Sequence, residues 1–172
     1  MRIAQLAPLT ESVPPKLYGG TERVVSWLTE DLVALGDRVT LFRSGDSVTR
    51  GGRVPVWPRA LRFGKPRVDP IVALTIALQH VSDRATEFDI IHCHLDWVHL
   101  PLLHRLRVPF LTTLHGRLDL PGLAGLVQGF PAAPIVSISH SQQAALPGAN
   151  GAGTVYHGIP PDALSLCHEP GS

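Results

Sequence analysis

Three short stretches carry residue types that could do chemistry. The first is Tyr18-Gly19-Gly20-Thr21, two glycines directly ahead of an apolar periodic run. The start of a helix presents free N–H groups and a partial positive charge, and glycine lets a phosphate approach the backbone closely. Gly19, Gly20 and Thr21 could therefore seat a diphosphate; equally, the pair could be a tight turn that feeds a helix. It is not the G-x-G-x-x-G fingerprint of dinucleotide enzymes. The second stretch is His92-Cys93-His94-Leu95-Asp96-Trp97. On an extended chain His92 and His94 share one face and Cys93 takes the other, so H-x-H could grip a metal. A metallohydrolase using His92, His94 and Asp96 is one reading, but Trp97 stands where that pattern needs a further histidine. The third is Thr112-Thr113-Leu114-His115-Gly116-Arg117-Leu118-Asp119, where Gly116 can turn the chain sharply after a strand. His115, Arg117 and Asp119 would then reach a cleft at the strand end, with a satisfied structural histidine as the alternative.

Other candidates are weaker. Residues 43–67 hold six Arg and one Lys against a single acid, Asp46. Such a run could attract a phosphorylated or membrane-bound acceptor, or simply be a solvated face. Ser139-His140-Ser141 lacks the G-x-S-x-G elbow of serine hydrolases.

The elements that must position these residues follow from periodicity. Arg2 to Ala7 reads as a buried strand ending at Pro8. From Gly19 onward, Val24, Val25, Leu28, Leu32 and Leu35 fall at helical spacing, with Gly36 as the C-terminal cap. Arg38 to Phe42 reads as a second strand, which completes a βαβ unit and predicts a parallel sheet. A loop-rich stretch with a short strand at Arg53 to Trp57 comes next, then a helix from Pro70 to about Glu87. Strands are expected at Asp89 to His92, Val108 to Leu114, Pro134 to Ser139 and Gly153 to Tyr156. Short helices are expected at Val98 to Arg105, Leu120 to Gln128 and Ser141 to Leu146. The pattern is α/β, a Rossmann-like three-layer sandwich around a mostly parallel central sheet, which places ligands at the carboxyl ends of its strands.

Bulk properties exclude several classes. The 172 residues, 44% hydrophobic and 17% charged, fit one globular domain. A net charge of +1 gives no field that would recruit nucleic acid. No apolar run approaches the ~18 residues of a membrane span, so any membrane contact is peripheral. Cys93 and Cys167 form no C-x-x-C or zinc spacing, and Met1-Arg2-Ile3 does not lead into a signal peptide, so a reduced cytoplasmic setting is expected.

Taken in order, these segments resemble family-4 glycosyltransferases from Met1 to about Ile159. The matching pieces are Ile3-Ala4-Gln5-Leu6-Ala7-Pro8, Tyr18-Gly19-Gly20-Thr21-Glu22, Val39-Thr40-Leu41-Phe42, Asp89-Ile90-Ile91-His92, Thr113-Leu114-His115-Gly116, Val136-Ser137-Ile138-Ser139 and Val155-Tyr156-His157-Gly158-Ile159. The resemblance implies a GT-B architecture, two Rossmann-like domains facing across a cleft, with the acceptor mostly on the first. It implies a retaining transfer of a hexose type from a nucleotide-sugar substrate, with no cofactor and no catalytic metal. By position it assigns the catalytic place to His115 and the donor diphosphate to the amides at Gly19 and Gly20. His92, His94, Asp96, Arg117 and Asp119 remain cleft or acceptor candidates.

Relatives of this kind continue into a second domain with an Arg/Lys pair and a Glu-x7-Glu motif, whereas this sequence ends at Ser172. Residues 1–159 are accordingly expected to be the acceptor-side domain, and residues 160–172 a tail towards a donor-binding half that is absent. Alone, such a chain should be inactive, with that C-terminal half or a second copy of itself as partner. The competing reading is a non-catalytic binding module from a shortened gene.

Overall fold

The computed structural model describes residues 1–161 and 163. Seven strands form one sheet in the order β3-β2-β1-β4-β5-β6-β7, counting β1 (Arg2–Leu6), β2 (Arg38–Ser44), β3 (Gly52–Trp57), β4 (Ile90–Cys93), β5 (Phe110–Thr113), β6 (Pro134–Ser137) and β7 (Asn150–Thr154). All six pairings are parallel. The strand order reverses beside β1, so the carboxyl ends of β1 and β4 flank the topological switch point at which open α/β sheets bind ligands.

The longest helices are α1 (Gly20–Ala34) and α2 (Pro70–Asp83). Asp69 starts α2 by accepting the Ile71 N–H, and Pro70 opens its first turn without losing a hydrogen bond. Gly36 closes α1 with φ 93°, as its position predicts. Shorter helices are α3 (Leu100–Leu103), α4 (Leu123–Gly129) and α5 (His140–Ala144). Several extents differ from the sequence reading: α3, β5 and β6 are shorter than expected and β2 runs two residues further. α2 stops at Asp83, and residues 85–87 form a 3-10 turn. The last strand lies at Asn150–Thr154 rather than Gly153 to Tyr156, because its backbone pairs with β6 in the register Pro134↔Asn150 and Ser137↔Thr154. Gly151 and Gly153 weaken the strand pattern there, and only the partner's hydrogen bonds reveal it. Pro55 is tolerated in β3 because that strand is an edge.

Alternation along the strands sorts side chains into two layers. Ala4, Leu6, Phe42, Ile91 and Cys93 face α2 and pack with its Ala73, Ala77 and Val81 in the main core. On the other face Leu41 and Ala7 meet Val25 of α1 and Val13, and Thr29 hydrogen-bonds Gln5 at 2.9 Å. A satellite core of Leu114, Leu118, Leu123, Val127 and Ile135 lies beneath α4. Among the described residues no helix is long and apolar enough to cross a membrane.

Gly19 and Gly20 have different reasons for being glycine. A Cβ on Gly19 would lie 2.7 Å from Pro15 Cβ and 3.1 Å from Glu22 Oε2, whereas one on Gly20 would meet nothing within 4 Å. Gly19→Ala is therefore expected to cost about 1–3 kcal/mol through overpacking. Gly20→Ala, in an open helical position, should be neutral or slightly stabilising. Urea unfolding of the two variants checks this, and equal midpoints would refute the distinction.

Candidate functional site

The strand alternation that buries Cys93 sends His92 and His94 to the α1 side of the sheet. Cys93 is fully buried in the core, and that burial pushes its thiol pKa up, which leaves it inert. His92 Nε2 lies 2.8 Å from Thr113 Oγ1 on the neighbouring strand. His94 follows the end of β4, and its Nδ1 lies 2.9 Å from His115 Nε2, beyond the end of β5. The imidazoles form a continuous ladder: His92 to His94 at 4.2 Å between ring centroids, His94 to His115 at 5.2 Å, and His115 to His157 at 5.1 Å. The structure thus brings three sequence candidates together and adds His157, which had stood out only within a matching segment.

The ladder walls a groove of about 520 Å³. One side is a stripe of α1, Val24, Trp27, Leu28 and Asp31, at helical spacing. The sheet contributes Leu111, Thr113 and Val136 to its lining, and residues 155–161 complete it.

Burial sets the charge of the ladder. Desolvation pushes His92 and His115 down to about 4, the charges of neighbouring histidines adding to the effect at His115, and it holds His94 well below the usual imidazole range. The rings are therefore neutral near pH 7. They act as hydrogen-bonding groups rather than cations.

The remaining candidates lie elsewhere. Asp96 adopts a left-handed conformation, φ 51°, and lines a separate apolar cavity with Trp97 and Leu100. No set of three His, Cys, Asp or Glu side chains among the described residues is arranged to hold a metal ion. The metallohydrolase reading from His92, His94 and Asp96 is corrected accordingly: the facing nitrogens of His94 and His115 are spent on each other, and Asp96 points elsewhere. Arg117 and Asp119 pair with each other at the surface, Nη2 to Oδ2 at 2.8 Å, and do not line the groove.

Gly19, Gly20 and Thr21 open α1, whose N-terminal end follows β1 and so lies at the carboxyl edge of the sheet. They are not groove-lining residues; Val24, one turn on, is. Among the described residues the Gly20 and Thr21 amides meet no protein acceptor. Glu22, however, is 5% exposed, accepts the Glu11 N–H and lies beside Gly19, so one carboxylate already occupies part of this helix start. Burial raises its pKa, partly offset by those backbone N–H groups.

The arginine-rich stretch is not a uniform basic face. Arg43 is buried, Arg50 is held by Glu30, and Arg62 pairs with the buried Glu11.

Sequence reading missed Gln142 on α5. Its Nε2 donates to the carbonyls of Leu114 at 3.0 Å and Gly116 at 2.7 Å, and its Oε1 accepts the Ile138 N–H at 2.8 Å. These bonds clasp the turn that carries His115 and leave the His115 carbonyl without a protein donor among the described residues. A glutamine on a short helix announces none of this.

A family model, Glycosyltransferase Family 4, matches residues 18–152. The chain belongs to glycosyltransferase family 4. It is an N-terminal domain of the GT-B type. Two solved structures share its fold. One is AviGT4, a glycosyltransferase involved in avilamycin A biosynthesis, at 20% identity and TM-score 0.57, matched over 92% of this chain and 42% of that one. The other is a sucrose-phosphate synthase from Thermosynechococcus elongatus, at 16% identity and TM-score 0.61, matched over 91% of this chain and 47% of that one. The chain spans less than half the length of either. No curated protein matches it.

Two outcomes follow from this site. His92 and His115, and outside the groove the fully buried His99, whose Nε2 lies 2.7 Å from Thr112 Oγ1, are pushed down to about 4 from an ordinary 6.5, and His94 is lowered in the same direction. The unfolded chain therefore binds more protons, and the stability these groups carry above pH 6.5 is lost as pH falls towards 4. Glu22 and Asp96, both raised by burial, work in the opposite sense. The histidines outnumber them, so urea midpoints should drop between pH 7.5 and pH 5; a midpoint that holds or rises would refute their neutral state. Gln142→Ala should cost about 1–3 kcal/mol, and Gln142→Glu more, because a carboxylate cannot donate to two carbonyls. Amide NMR shifts confined to residues 114–117 and 138 would locate the loss.

Proposed function

We propose that residues 1–159 are the acceptor-side half of a retaining glycosyltransferase of the hexosyl type. Residues 160–172, of which 160, 161 and 163 are within the described range, would lead into a second Rossmann-like domain that holds the nucleotide-sugar. The observation that carries this reading is the placement of His115 at the end of β5, joined to His94 beside the switch point, in a family-4 fold. In this reading the neutral His115 ring and its unpaired backbone carbonyl hydrogen-bond hydroxyls of the transferred sugar. The amides of Gly20 and Thr21 face the negative charge that develops on the departing diphosphate, and being preorganised they stabilise it without reorganising. Glu22 limits that help, so cations on the second domain would carry much of the phosphate charge. No metal or cofactor enters the scheme. A cytoplasmic setting, where nucleotide-sugars are made, suits the inert buried thiol.

A second reading has one observation in its favour. On the α1 side a groove of about 520 Å³ lies over β4, β5 and β6, and parallel sheets are ordinarily covered on both faces. A binding module that self-associates through this face would sediment as a concentration-dependent dimer, and a monodisperse monomer at all concentrations would end that reading.

The transferase reading is tested in a chain that carries both domains. His115→Ala should lower kcat by about 10²–10³, the loss typical of removing one preorganised group at the reacting centre. The 172-residue chain alone should transfer almost nothing, since both substrates cannot be positioned without the second half. Family-typical transfer by the short chain, or full activity in the His115→Ala protein, would overturn the respective part of the proposal.

A further inference from the structure

The connections that follow β1 and β3 both leave the sheet at its carboxyl edge, and between them they put three large apolar side chains into solvent. Leu17 and Tyr18 are each 78% exposed, and Phe63 is 63% exposed. They belong to one surface. Leu17 and Phe63 line a common depression of about 360 Å³ with Lys16 and Arg59, and Arg59 and Phe63 also line its neighbour with Lys65. The Arg62 guanidinium lies 5.8 Å from the centroid of the Tyr18 ring, and that of Arg23 donates to the Leu17 carbonyl at 3.1 Å, so the loop carrying Leu17 and Tyr18 is anchored at two points. On an ordinary protein surface such residues occur singly; a cluster of them marks a contact surface.

The free charge around this patch has one sign. No Asp or Glu occurs between Asp46 and Asp69. Lys16, Arg59, Lys65 and Arg67 are exposed and form no salt bridge among the described residues. The nearby acids are engaged: Glu11 is buried against Arg62, Asp46 accepts the Ala60 N–H, and Asp69 caps α2. A second copy of the chain, docked about a two-fold axis through this patch, would set the four cations against their own images. A nucleic acid would neutralise the cations but gain nothing from Leu17. An anionic bilayer suits both features, because its headgroups attract the cations while the boundary with its acyl chains takes up apolar side chains from loop tips.

We propose that this corner of the domain docks on an anionic lipid bilayer, with Leu17, Tyr18 and Phe63 entering the boundary between headgroups and acyl chains and Lys16, Arg59, Lys65 and Arg67 lying among the headgroups. Docking needs neither a sugar donor nor a second domain, and it does not rest on the transferase reading. On that reading it holds the bilayer at the same edge of the sheet as His115, which suits an acceptor carried in the membrane.

The test is co-sedimentation of the 172-residue chain with vesicles of phosphatidylcholine alone and of phosphatidylcholine mixed with phosphatidylserine. The chain should bind the mixed vesicles, bind the neutral ones far more weakly, and leave the mixed vesicles as salt rises from about 0.1 M to about 1 M. One cation near such a surface strengthens binding about fivefold, so Lys65→Gln combined with Arg67→Gln should weaken it about 25-fold. Phe63→Ser should weaken it about tenfold. Leu35→Ser, at an 81% exposed position at the far end of α1, should leave it unchanged. All of these positions are exposed, and unchanged far-ultraviolet spectra would show that the variants fold. No binding to the mixed vesicles, equal binding to both kinds, or indifference to Phe63→Ser would overturn the proposal. A single-stranded oligonucleotide that binds as tightly as the mixed vesicles, and whose binding responds to the double substitution but not to Phe63→Ser, would assign the patch to nucleic acid instead. Sugar transfer by the two-domain chain without vesicle binding would remove this inference alone, and vesicle binding without transfer would remove only the transferase reading.

Discussion

The strict two-residue alternation of β4 governs the molecule. At one strand it assigns Ile91 and Cys93 to the core under α2 and His92 and His94 to the opposite face. A slip by one residue would bury two imidazoles in the main core and expose the thiol, which is why the register with β1, Leu6 opposite Cys93, is so tightly specified. Everything in the histidine ladder depends on that register. Thr113 meets His92, and His115 meets His94, because β5 repeats the same alternation one strand over.

The electrostatics of the two candidate subsites are opposite in kind. The ladder is a neutral hydrogen-bonding array, kept so by desolvation. The start of α1 is a partially positive end already approached by the Glu22 carboxylate. Glu22 is also tied to the loop through Glu11, and Glu11 to Arg62, so one chain of polar contacts joins the helix start to the arginine-rich segment. That segment therefore serves the fold at Arg43, Arg50 and Arg62 before it serves any partner.

Much of the architecture was legible in the residues. Strong periodicity placed α1, α2 and the first two strands, and the βαβ order required a parallel sheet. The weakly patterned segments were less legible. β7 contains two glycines and is held by pairing with β6, so its position could not be read from its own side chains. α3 shrank to four residues for a related reason: a short apolar run bounded by turns has no unique period. For the site, His92, His94 and His115 were recognisable as strand-end histidines, while Asp96, Arg117 and Asp119 shared the same sequence neighbourhood but not the groove.

By itself the sequence determined which side chains alternate, which helix starts on glycine, and to which family the ordered segments belong, because these are local properties of adjacent residues. Tertiary structure alone decided that His94 and His115, 21 residues apart, share a hydrogen bond. It also decided that Gln142 clasps the His115 turn, that Glu22 folds against the helix start, and that a groove lies over the sheet beside α1. Each of these depends on distances between strands and helices that no spacing along the chain encodes, and side-chain contacts across a sheet exist only once its strands are in register.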